Sequence, residues 1–172
     1  MIGEILASKC KELESIGCAG IAFCANTPHR VFDMVQNELG VPLVHIGRSI
    51  GKRTKKLGYK KVGLLGTRFT MEGGFIDSIL QREFSIDVET PAAPARKEIQ
   101  SLLYNEMSHG HFQSKTRDYF LSLIEQFNDN GAEAVILGCT EFPILLNNVK
   151  TCIPTIDSTM CHVEDIVDFI LQ

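Results

Sequence analysis

The stretch IAFCANTPHR, residues 21–30, starts as a short apolar strand and becomes polar immediately after a cysteine. A second stretch, AVILGCTEFP, residues 134–143, repeats this pattern far down the chain. In both, a proline follows the cysteine within a few residues, which is typical of the first turn of a helix. The chain therefore contains an imperfect internal repeat, and each copy places a cysteine where a strand ends and a helix begins.

Helices and short strands alternate around the two stretches. Apolar residues at helical spacing predict helices at residues 2–16, 28–39, 49–57, 71–84, 94–109, 115–129, 142–148 and 160–171. Short apolar runs predict strands at residues 19–24, 41–46, 60–67, 86–91, 133–139 and 153–157. Such alternation is typical of parallel βαβ units, so we predict an α/β fold with mainly parallel sheets flanked by helices.

The composition excludes several classes of protein. With 44% hydrophobic residues the chain has enough apolar surface for a core, and its net charge of -4 argues against a nucleic-acid-binding surface. No apolar segment approaches the roughly 20 residues of a membrane-spanning helix. Charged residues interrupt the N-terminal stretch early, which is typical of an amphipathic helix rather than a signal peptide. We therefore expect a cytoplasmic protein without a nucleic-acid or membrane partner.

The cysteines do not form a recognisable metal or disulfide pattern. The six positions, 10, 18, 24, 139, 152 and 161, show neither CxxC pairing nor zinc-ligand spacing. In a reducing compartment we expect free thiols and no metal. The glycine-containing stretch at residues 63–70 lacks the motif of a phosphate loop and the full dinucleotide fingerprint, so we expect no nucleotide cofactor.

Cys24 and Cys139 share a setting that favours chemistry. The carboxyl ends of parallel strands are where ligands bind in open α/β sheets, and a following helix start is expected to lower the pKa of a thiol. The two thiols could form a disulfide or could act as acid and base on the two faces of one carbon. In the second case hydrogen-bond reach places the sulfur atoms roughly 6–8 Å apart, which is too far for a disulfide.

Four motifs, CANTPH, LLGTRFTME, LGCTEFP and IPTIDST, resemble the aspartate/glutamate racemase family across essentially the whole chain. The resemblance implies two pseudo-symmetric α/β lobes, here residues 1–57 with 153–172 and residues 58–152. It also implies a racemase of aspartate or glutamate that needs no cofactor such as PLP. In that reaction one thiolate removes the α-proton and the opposite thiol returns a proton, and these roles fall on Cys24 and Cys139.

The neighbours of the two cysteines fit this reaction. A carbanion beside a carboxylate needs preorganised donors, and we expect helix-start amides and the side chains of Asn26, Thr27 and Thr140 to supply them. Thr27 is also expected to cap the first helix after Cys24. These residues are therefore predicted to bind the substrate.

Two further stretches supply candidate substrate contacts. Thr67 lies at another strand end and is expected to donate to the substrate, while Thr70 is expected to cap the next helix. Glu141 stands where related glutamate racemases have a histidine, which favours the aspartate-type branch and a role in orienting a proton or the substrate ammonium. An ordinary helix-start glutamate is the alternative. His29 and His45 are expected to be structural.

The chain departs from the family in its first lobe. Family members usually begin with a strand, a glycine turn, a helix and a second strand before the segment equivalent to Met1, so the first lobe is interpreted as N-terminally truncated. Its remaining three strands would expose a sheet edge, which predicts a homodimer or a weakly stable protein. The candidates for binding a side-chain carboxylate are Arg48, Arg68 and Lys115.

Other functions compete with an aspartate or glutamate racemase. Hydantoin racemases and maleate isomerases share two cysteines and are the nearest enzymatic alternatives. A second class is a racemase-like binding protein that is inactive or weakly active because of its short first lobe. A thiol-redox protein is disfavoured, because no resolving cysteine lies close in sequence to either motif.

Overall fold

The computed structural model describes all 172 residues and contains two parallel sheets. The small sheet pairs β1 (Ile21–Ala22) with β2 (Leu43–Val44). The strands of the large sheet are β3 (Lys61–Gly66), β4 (Asp87–Glu89), β5 (Ala134–Gly138) and β6 (Thr155–Asp157). Their order is β4-β3-β5-β6 and every neighbouring pair is parallel. The predicted α/β class with parallel sheets flanked by helices is confirmed.

Nine α-helices and two short 3-10 helices surround the sheets. The α-helices are α1 (Ile2–Ser15), α2 (Phe32–Gln36), α3 (Ile46–Lys56), α4 (Arg68–Glu72), α5 (Asp77–Phe84), α6 (Ala93–Asn105), α7 (Ser114–Asp129), α8 (Glu141–Leu145) and α9 (Ser158–Ile170). The 3-10 helices are Thr27–Val31 and Met107–His109. None of these helices combines the length and the apolar character that crossing a membrane requires.

The core lies on both faces of the large sheet. Strands β3 and β5 are buried along nearly their whole length, because helices cover both faces of the sheet. A strand that is buried on both faces has a continuous run of apolar residues in its sequence. A cluster of 16 buried residues includes side chains of α6 and α7, and a cluster of 12 includes side chains of α3 and α5. The small sheet has its own cluster of only seven buried residues.

One strand lies in a different sheet from the one predicted. The sequence assigned residues 153–157 to the first lobe, but β6 pairs with β5, with Ile156 opposite Ile136. A hydrogen bond from the amide of Val135 to the carbonyl of Pro154 begins this pairing. The assignment of this strand is therefore wrong, and the first sheet has two strands rather than three. The other boundaries of the two lobes stay a prediction.

Three predicted helices are interrupted. The helix predicted at residues 94–109 ends as α6 at Asn105, and the 3-10 helix Met107–His109 follows it. The helix predicted at residues 28–39 begins as a 3-10 helix and continues as α2. The helix predicted at residues 71–84 divides into α4 and α5 at Gly73 and Gly74, and Gly74 has a φ of +73°, a conformation that glycine adopts without strain. After the break, α4 packs on β3 while α5 packs on α3.

Candidate active site

A cavity of about 320 Å³ lies at the carboxyl ends of β1, β3 and β5. All seven predicted site residues line it: Cys24, Asn26, Thr27, Thr67, Cys139, Thr140 and Glu141. The two motifs of the internal repeat therefore contribute to one wall, although they belong to different sheets. Both cysteines are free thiols.

The sequence missed the other half of the wall. These residues are Ala22, Phe23, Ala25, Ile46, Thr70, Gly138, Thr159, His162, Val163 and Ile166. The four from α9 lie three, four and seven positions apart, so they occupy one face of that helix. The signal was present, because this helix follows the IPTIDST motif, but residues 153–157 were assigned to the first lobe, so the position of α9 was not predicted.

Cys139 is held by its neighbour Glu141. The Cys139 Sγ donates to Glu141 Oε2 at 2.8 Å, and Thr140 Oγ1 donates to the same oxygen at 3.1 Å. Burial first, and then the hydrogen bond to and the charge of Glu141, raise the pKa of the Cys139 thiol to about 12. The amides of Thr140 and Glu141 act in the opposite direction but are outweighed. The helix start therefore lowers this pKa as predicted, but the predicted net lowering is wrong, because burial and Glu141 outweigh the two amides.

Cys24 lies in a different environment. It follows a strand of two residues, and its side chain is exposed. The 3-10 helix after it begins at Thr27, and Asn26 occupies the cap position without a side-chain hydrogen bond to the helix. The prediction that Thr27 caps this helix is wrong, because Thr27 already lies in the first helical turn.

Asn26 connects the two cysteine motifs. Its Nδ2 donates to the Oγ of Ser158 at 3.2 Å, and that hydroxyl donates to the carbonyl of Leu137 at 2.8 Å. Leu137 lies in β5, two residues before Cys139. Asn26 and Ser158 are both buried, so this chain of hydrogen bonds joins the first motif, the start of α9 and the end of β5.

Thr67, rather than Thr70 as predicted, caps the helix that follows β3. Thr67 Oγ1 accepts from the Thr70 amide at 3.2 Å and caps α4, and the two hydroxyls lie 3.0 Å apart. A Cβ on Gly66 would come within 2.8 Å of the Thr70 Cβ. Glycine at this strand end therefore lets Thr70 approach the sheet, and both threonines line the cavity.

The three predicted cationic residues do not line the cavity. Arg48 donates to both carboxylate oxygens of Glu83, at 2.9 and 3.0 Å. Arg68 pairs with Glu72, and Lys115 lies in the first turn of α7. Among the lining residues, Glu141 is the one acidic side chain, and no arginine or lysine accompanies it.

Three buried histidines lie close together, and one of them, His162, also lines the cavity. The ring of His29 lies 5.0 Å from that of His45 and 5.5 Å from that of His162. Burial lowers the pKa of His29 to about 4 and that of His45 to about 3, and it also lowers the pKa of His162. All three rings are therefore neutral near neutral pH.

Each of these histidines has a backbone hydrogen bond. His29 Nδ1 donates to the carbonyl of Ala25 at 3.0 Å, and His162 Nε2 donates to the carbonyl of Val44 at 3.1 Å. The His45 ring accepts from the backbone and caps α3. These contacts agree with the structural role expected for His29 and His45, and they join the small sheet to α9.

The comparison with known proteins decides the family. A family model described as Asp/Glu/hydantoin racemase matches residues 3–166 of the chain. The chain belongs to the Asp/Glu/hydantoin racemase family. The predicted resemblance is confirmed.

Two racemases of known sequence are similar to most of this chain but are longer than it. A glutamate racemase of Limosilactobacillus reuteri is 27% identical over 130 residues, which cover 75% of this chain and 46% of the relative. The broad specificity amino-acid racemase of Bacillus subtilis is 25% identical over 158 residues, covering 91% and 66%. The chain thus spans about half to two thirds of the length of these two relatives.

Two crystal structures match over nearly the whole chain. A candidate Asp/Glu racemase from Yersinia pestis has a TM-score of 0.93 and 33% identity, with 99% of this chain and 74% of that chain covered. An aspartate racemase homologue from Pyrococcus horikoshii OT3 has a TM-score of 0.88 and 34% identity, with the same coverage. The fold of the racemase family is therefore present across the described residues.

Proposed function

We propose that this protein is a cofactor-independent amino-acid racemase that uses Cys24 and Cys139 as acid and base. One observation carries the proposal: thiols from two different sheets line a single small cavity together with threonine and asparagine side chains. Two proton-transferring groups are what a racemase needs, because a proton must leave one face of the α-carbon and another must arrive at the opposite face.

The proton transfers balance without a further reactant. A thiolate takes the α-proton, and the electron pair of the broken C–H bond stays on the α-carbon and its carboxylate. The opposite thiol then gives its proton to the other face and becomes the thiolate. The enzyme leaves each turnover with one thiol and one thiolate, in exchanged positions.

The two cysteines begin from unequal states. Glu141 and burial keep Cys139 protonated, so Cys139 is the proton donor in the resting protein. Cys24, which is exposed on the opposite motif, is then the base. In the reverse direction the thiolate must be on Cys139, and the carboxylate of Glu141 can receive or return its proton across the 2.8 Å hydrogen bond.

The hydroxyl-rich part of the wall supports the charge that develops on the substrate. Thr27, Thr67 and Thr140 line the cavity, and the amides after each cysteine belong to helix starts. Preorganised donors of this kind stabilise a carboxylate and the carbanion beside it. We assign substrate binding to these threonines and to Asn26 and Glu141.

The resemblance to the family predicts aspartate or glutamate as the substrate, and this stays a prediction. A homodimer in the cytoplasm is also part of the proposal. The homodimer is supported by large apolar side chains of α1 and α9 that are exposed, which include Ile2, Ile5 and Ile170. Exposed apolar patches are typical of an interface.

A binding protein without turnover is the second candidate. Two strands of two residues and a cluster of seven buried residues make a small first lobe, and this lobe carries Cys24. A cysteine held loosely would bind a ligand without moving its proton at a useful rate. The cavity would then still select amino acids.

Deuterium exchange separates the two candidates. The protein is incubated in D2O with the L and D forms of aspartate, glutamate, asparagine and glutamine, and loss of the α-proton is followed by NMR. Racemisation predicts exchange that Cys24→Ser and Cys139→Ser each reduce by at least about a thousandfold. Cys152→Ser changes an exposed cysteine outside the cavity and is the matched control. Ligand binding without exchange in the wild type would support the binding protein.

A further inference from the structure

We propose that Ser158 is a positioning residue that sets the spacing between Cys24 and Cys139 through the side chain of Asn26. This inference rests on the proposed function and adds to it a residue that does not touch the substrate. Ser158 is fully buried and does not line the cavity, so its hydroxyl acts on the reaction through its neighbours. One of these neighbours, Asn26, lies two residues after Cys24, and the other, Leu137, lies two residues before Cys139.

The Ser158 hydroxyl is held on the large sheet. Ser158 is the first residue of α9 and directly follows β6, in which Asp157 lies opposite Leu137 of β5. Asp157 caps α9 by accepting from the amides of Thr159 and Met160, at 2.8 and 3.3 Å. The strand pairing and the cap therefore fix the backbone on both sides of Ser158, whose hydroxyl donates to the Leu137 carbonyl at 2.8 Å.

The chemistry of the three groups fixes the direction of each hydrogen bond. A backbone carbonyl can only accept, so the single proton of the Ser158 hydroxyl goes to Leu137. The Ser158 oxygen then accepts from Asn26 Nδ2 at 3.2 Å. Asn26 Oδ1 is buried and has no hydrogen-bond partner, so the bond to Ser158 alone selects this orientation of the amide. Ser158 thus orients a side chain to which we assign substrate binding.

The Cys24 motif depends on this contact because its own strand is short. Only two residues form β1, and Cys24 is exposed after it, whereas five buried residues of β5 precede Cys139. Removal of an α-proton needs one sulfur atom in place, but inversion needs both within reach of the same carbon. Because a displacement of about 1 Å can lower the rate of such a step roughly a hundredfold, loss of the link should impair inversion before it impairs proton removal.

The ratio of racemisation to α-proton exchange in D2O reports this spacing. When both sulfur atoms are in place, the thiolate takes the α-proton and the opposite thiol delivers a deuteron, so each proton lost gives one inverted molecule. When the opposite thiol is displaced, the thiol formed at the first cysteine exchanges its proton with D2O and returns a deuteron to the same face. The α-proton is then lost with retention of configuration. The exposure of Cys24 allows this exchange with solvent.

Ser158→Ala removes the hydroxyl and leaves the backbone unchanged. Initial rates of exchange, by NMR, and of inversion, by chiral chromatography, are measured on both enantiomers of whichever of aspartate, glutamate, asparagine and glutamine the wild type exchanges fastest. We expect the ratio of racemisation to exchange to fall by about fivefold or more. A loss of folded protein lowers both rates equally, so a merely structural role leaves the ratio at its wild-type value, and that result would overturn the proposal.

Ser49→Ala is the matched control. Ser49 is also buried, and its hydroxyl donates to Asp165 at 2.8 Å, which joins α3 to α9 outside the cavity. Both variants lose a buried hydrogen bond and should lose stability to a similar degree, but Ser49→Ala should keep the wild-type ratio. An equal fall of the ratio in Ser49→Ala would show that the ratio responds to the packing of α9 in general, which contradicts a specific role of Ser158.

Asn26→Ala breaks the same link from the other side and provides the test if Ser158→Ala does not fold. It should also lower the ratio, and in its presence Ser158→Ala should change the ratio by less than about twofold. A wild-type ratio in Asn26→Ala, or independent effects of the two changes, would refute the proposed link. If the wild type exchanges no α-proton, the proposed function fails and this inference falls with it, whereas exchange with unchanged ratios refutes only the role of Ser158.

Discussion

The two cysteine motifs have similar sequences but occupy sheets of very different size. Cys24 follows a strand of two residues beside a cluster of seven buried side chains. Cys139 follows β5, a strand of five buried residues between two neighbours, with clusters of 16 and 12 buried side chains on the two faces. The same local pattern therefore ends in an exposed thiol in one lobe and a partly buried thiol in the other.

The position of each cysteine in the fold and its protonation state therefore have separate causes. The strand-to-helix pattern places each cysteine at a carboxyl edge, and it does so in both sheets. The protonation state depends instead on burial and on one adjacent carboxylate, which only Cys139 has. The sequence repeat thus places the two cysteines at equivalent positions in their sheets, but it does not give the two thiols the same acidity.

The largest expected effect concerns the cores behind the two motifs. Ile21 and Ile136 each lie three residues before a cysteine and are both buried. Ile136→Ala should lower the free energy of unfolding by about 4 kcal/mol, because the large sheet is covered on both faces and cannot collapse around a cavity. Ile21→Ala should cost about 2 kcal/mol, because the small cluster can relax. Urea denaturation followed by circular dichroism measures both, and equal losses would remove the contrast.

Acid should act on the small lobe first. His29 is neutral when folded and has its pKa lowered from 6.5 to about 4, so the unfolded chain binds the extra proton in this range. The free energy of unfolding is highest above pH 6.5, the pKa of His29 in the unfolded chain. It falls as the pH drops from 6.5 toward 4, by about 3 kcal/mol for this group. Hydrogen exchange at the amides of β1 and β2 should accelerate before exchange in β3 and β5.

A pair of histidine variants tests the origin of this acid sensitivity. His29→Gln removes one of the titrating rings and should reduce the dependence of stability on pH between 6.5 and 4, while His45 and His162 still contribute to the slope. His111→Gln alters an exposed histidine and should leave the slope as it is in the wild type. A slope that is the same in His29→Gln and in the wild type would assign the acid sensitivity to other groups, with His45 the next to examine.

Thiol reactivity should expose the inequality of the cysteines directly. Glu141→Gln removes a charge that raises the pKa of Cys139, so alkylation of Cys139 by iodoacetamide should become about tenfold faster. Cys24 is the internal reference, and mass spectrometry resolves the sites. Glu125→Gln, an exposed change on α7, should alter neither rate. An unchanged Cys139 rate in Glu141→Gln would show that burial alone keeps this thiol protonated.

The smallest expected effect distinguishes the helix starts. Thr67 caps α4 through a hydrogen bond from the Thr70 amide, so Thr67→Ala should lower the free energy of unfolding by about 1 kcal/mol. Thr27 makes no capping hydrogen bond, so Thr27→Ala should change the free energy of unfolding by less than about 0.5 kcal/mol. Thermal denaturation of both variants is sufficient. A larger loss in Thr27→Ala would mean that this hydroxyl stabilises the first lobe in another way.

Local patterns predicted much of the fold and seven of the 17 residues that line the cavity. The apolar runs of β3 and β5 identified buried parallel strands, and Cys24, Thr67 and Cys139 line the cavity because each follows a strand. The strand that pairs with β6 could not be predicted from local sequence patterns, because strand order depends on the tertiary structure. For the same reason the α9 face, with His162 and its neighbours, was missed.

Other errors came from contacts between side chains. Thr67 and Thr70 are both good caps, and only the position of the helix start decides between them. The pKa of Cys139 depends on the direction in which the Glu141 side chain turns, which no sequence pattern specifies. The division between α4 and α5, by contrast, was readable from the two consecutive glycines.

The hydrogen bond between Cys139 and Glu141 has a thermodynamic consequence for a racemase. The two enantiomers of an amino acid have the same free energy, so the equilibrium mixture contains equal amounts whatever the enzyme does. Unequal thiols therefore cannot favour one enantiomer at equilibrium, and kcat/KM must be the same in both directions. The values of kcat and KM can still differ between the enantiomers, provided that both change by the same factor. One enantiomer then saturates the protein at a lower concentration and turns over more slowly than its mirror image.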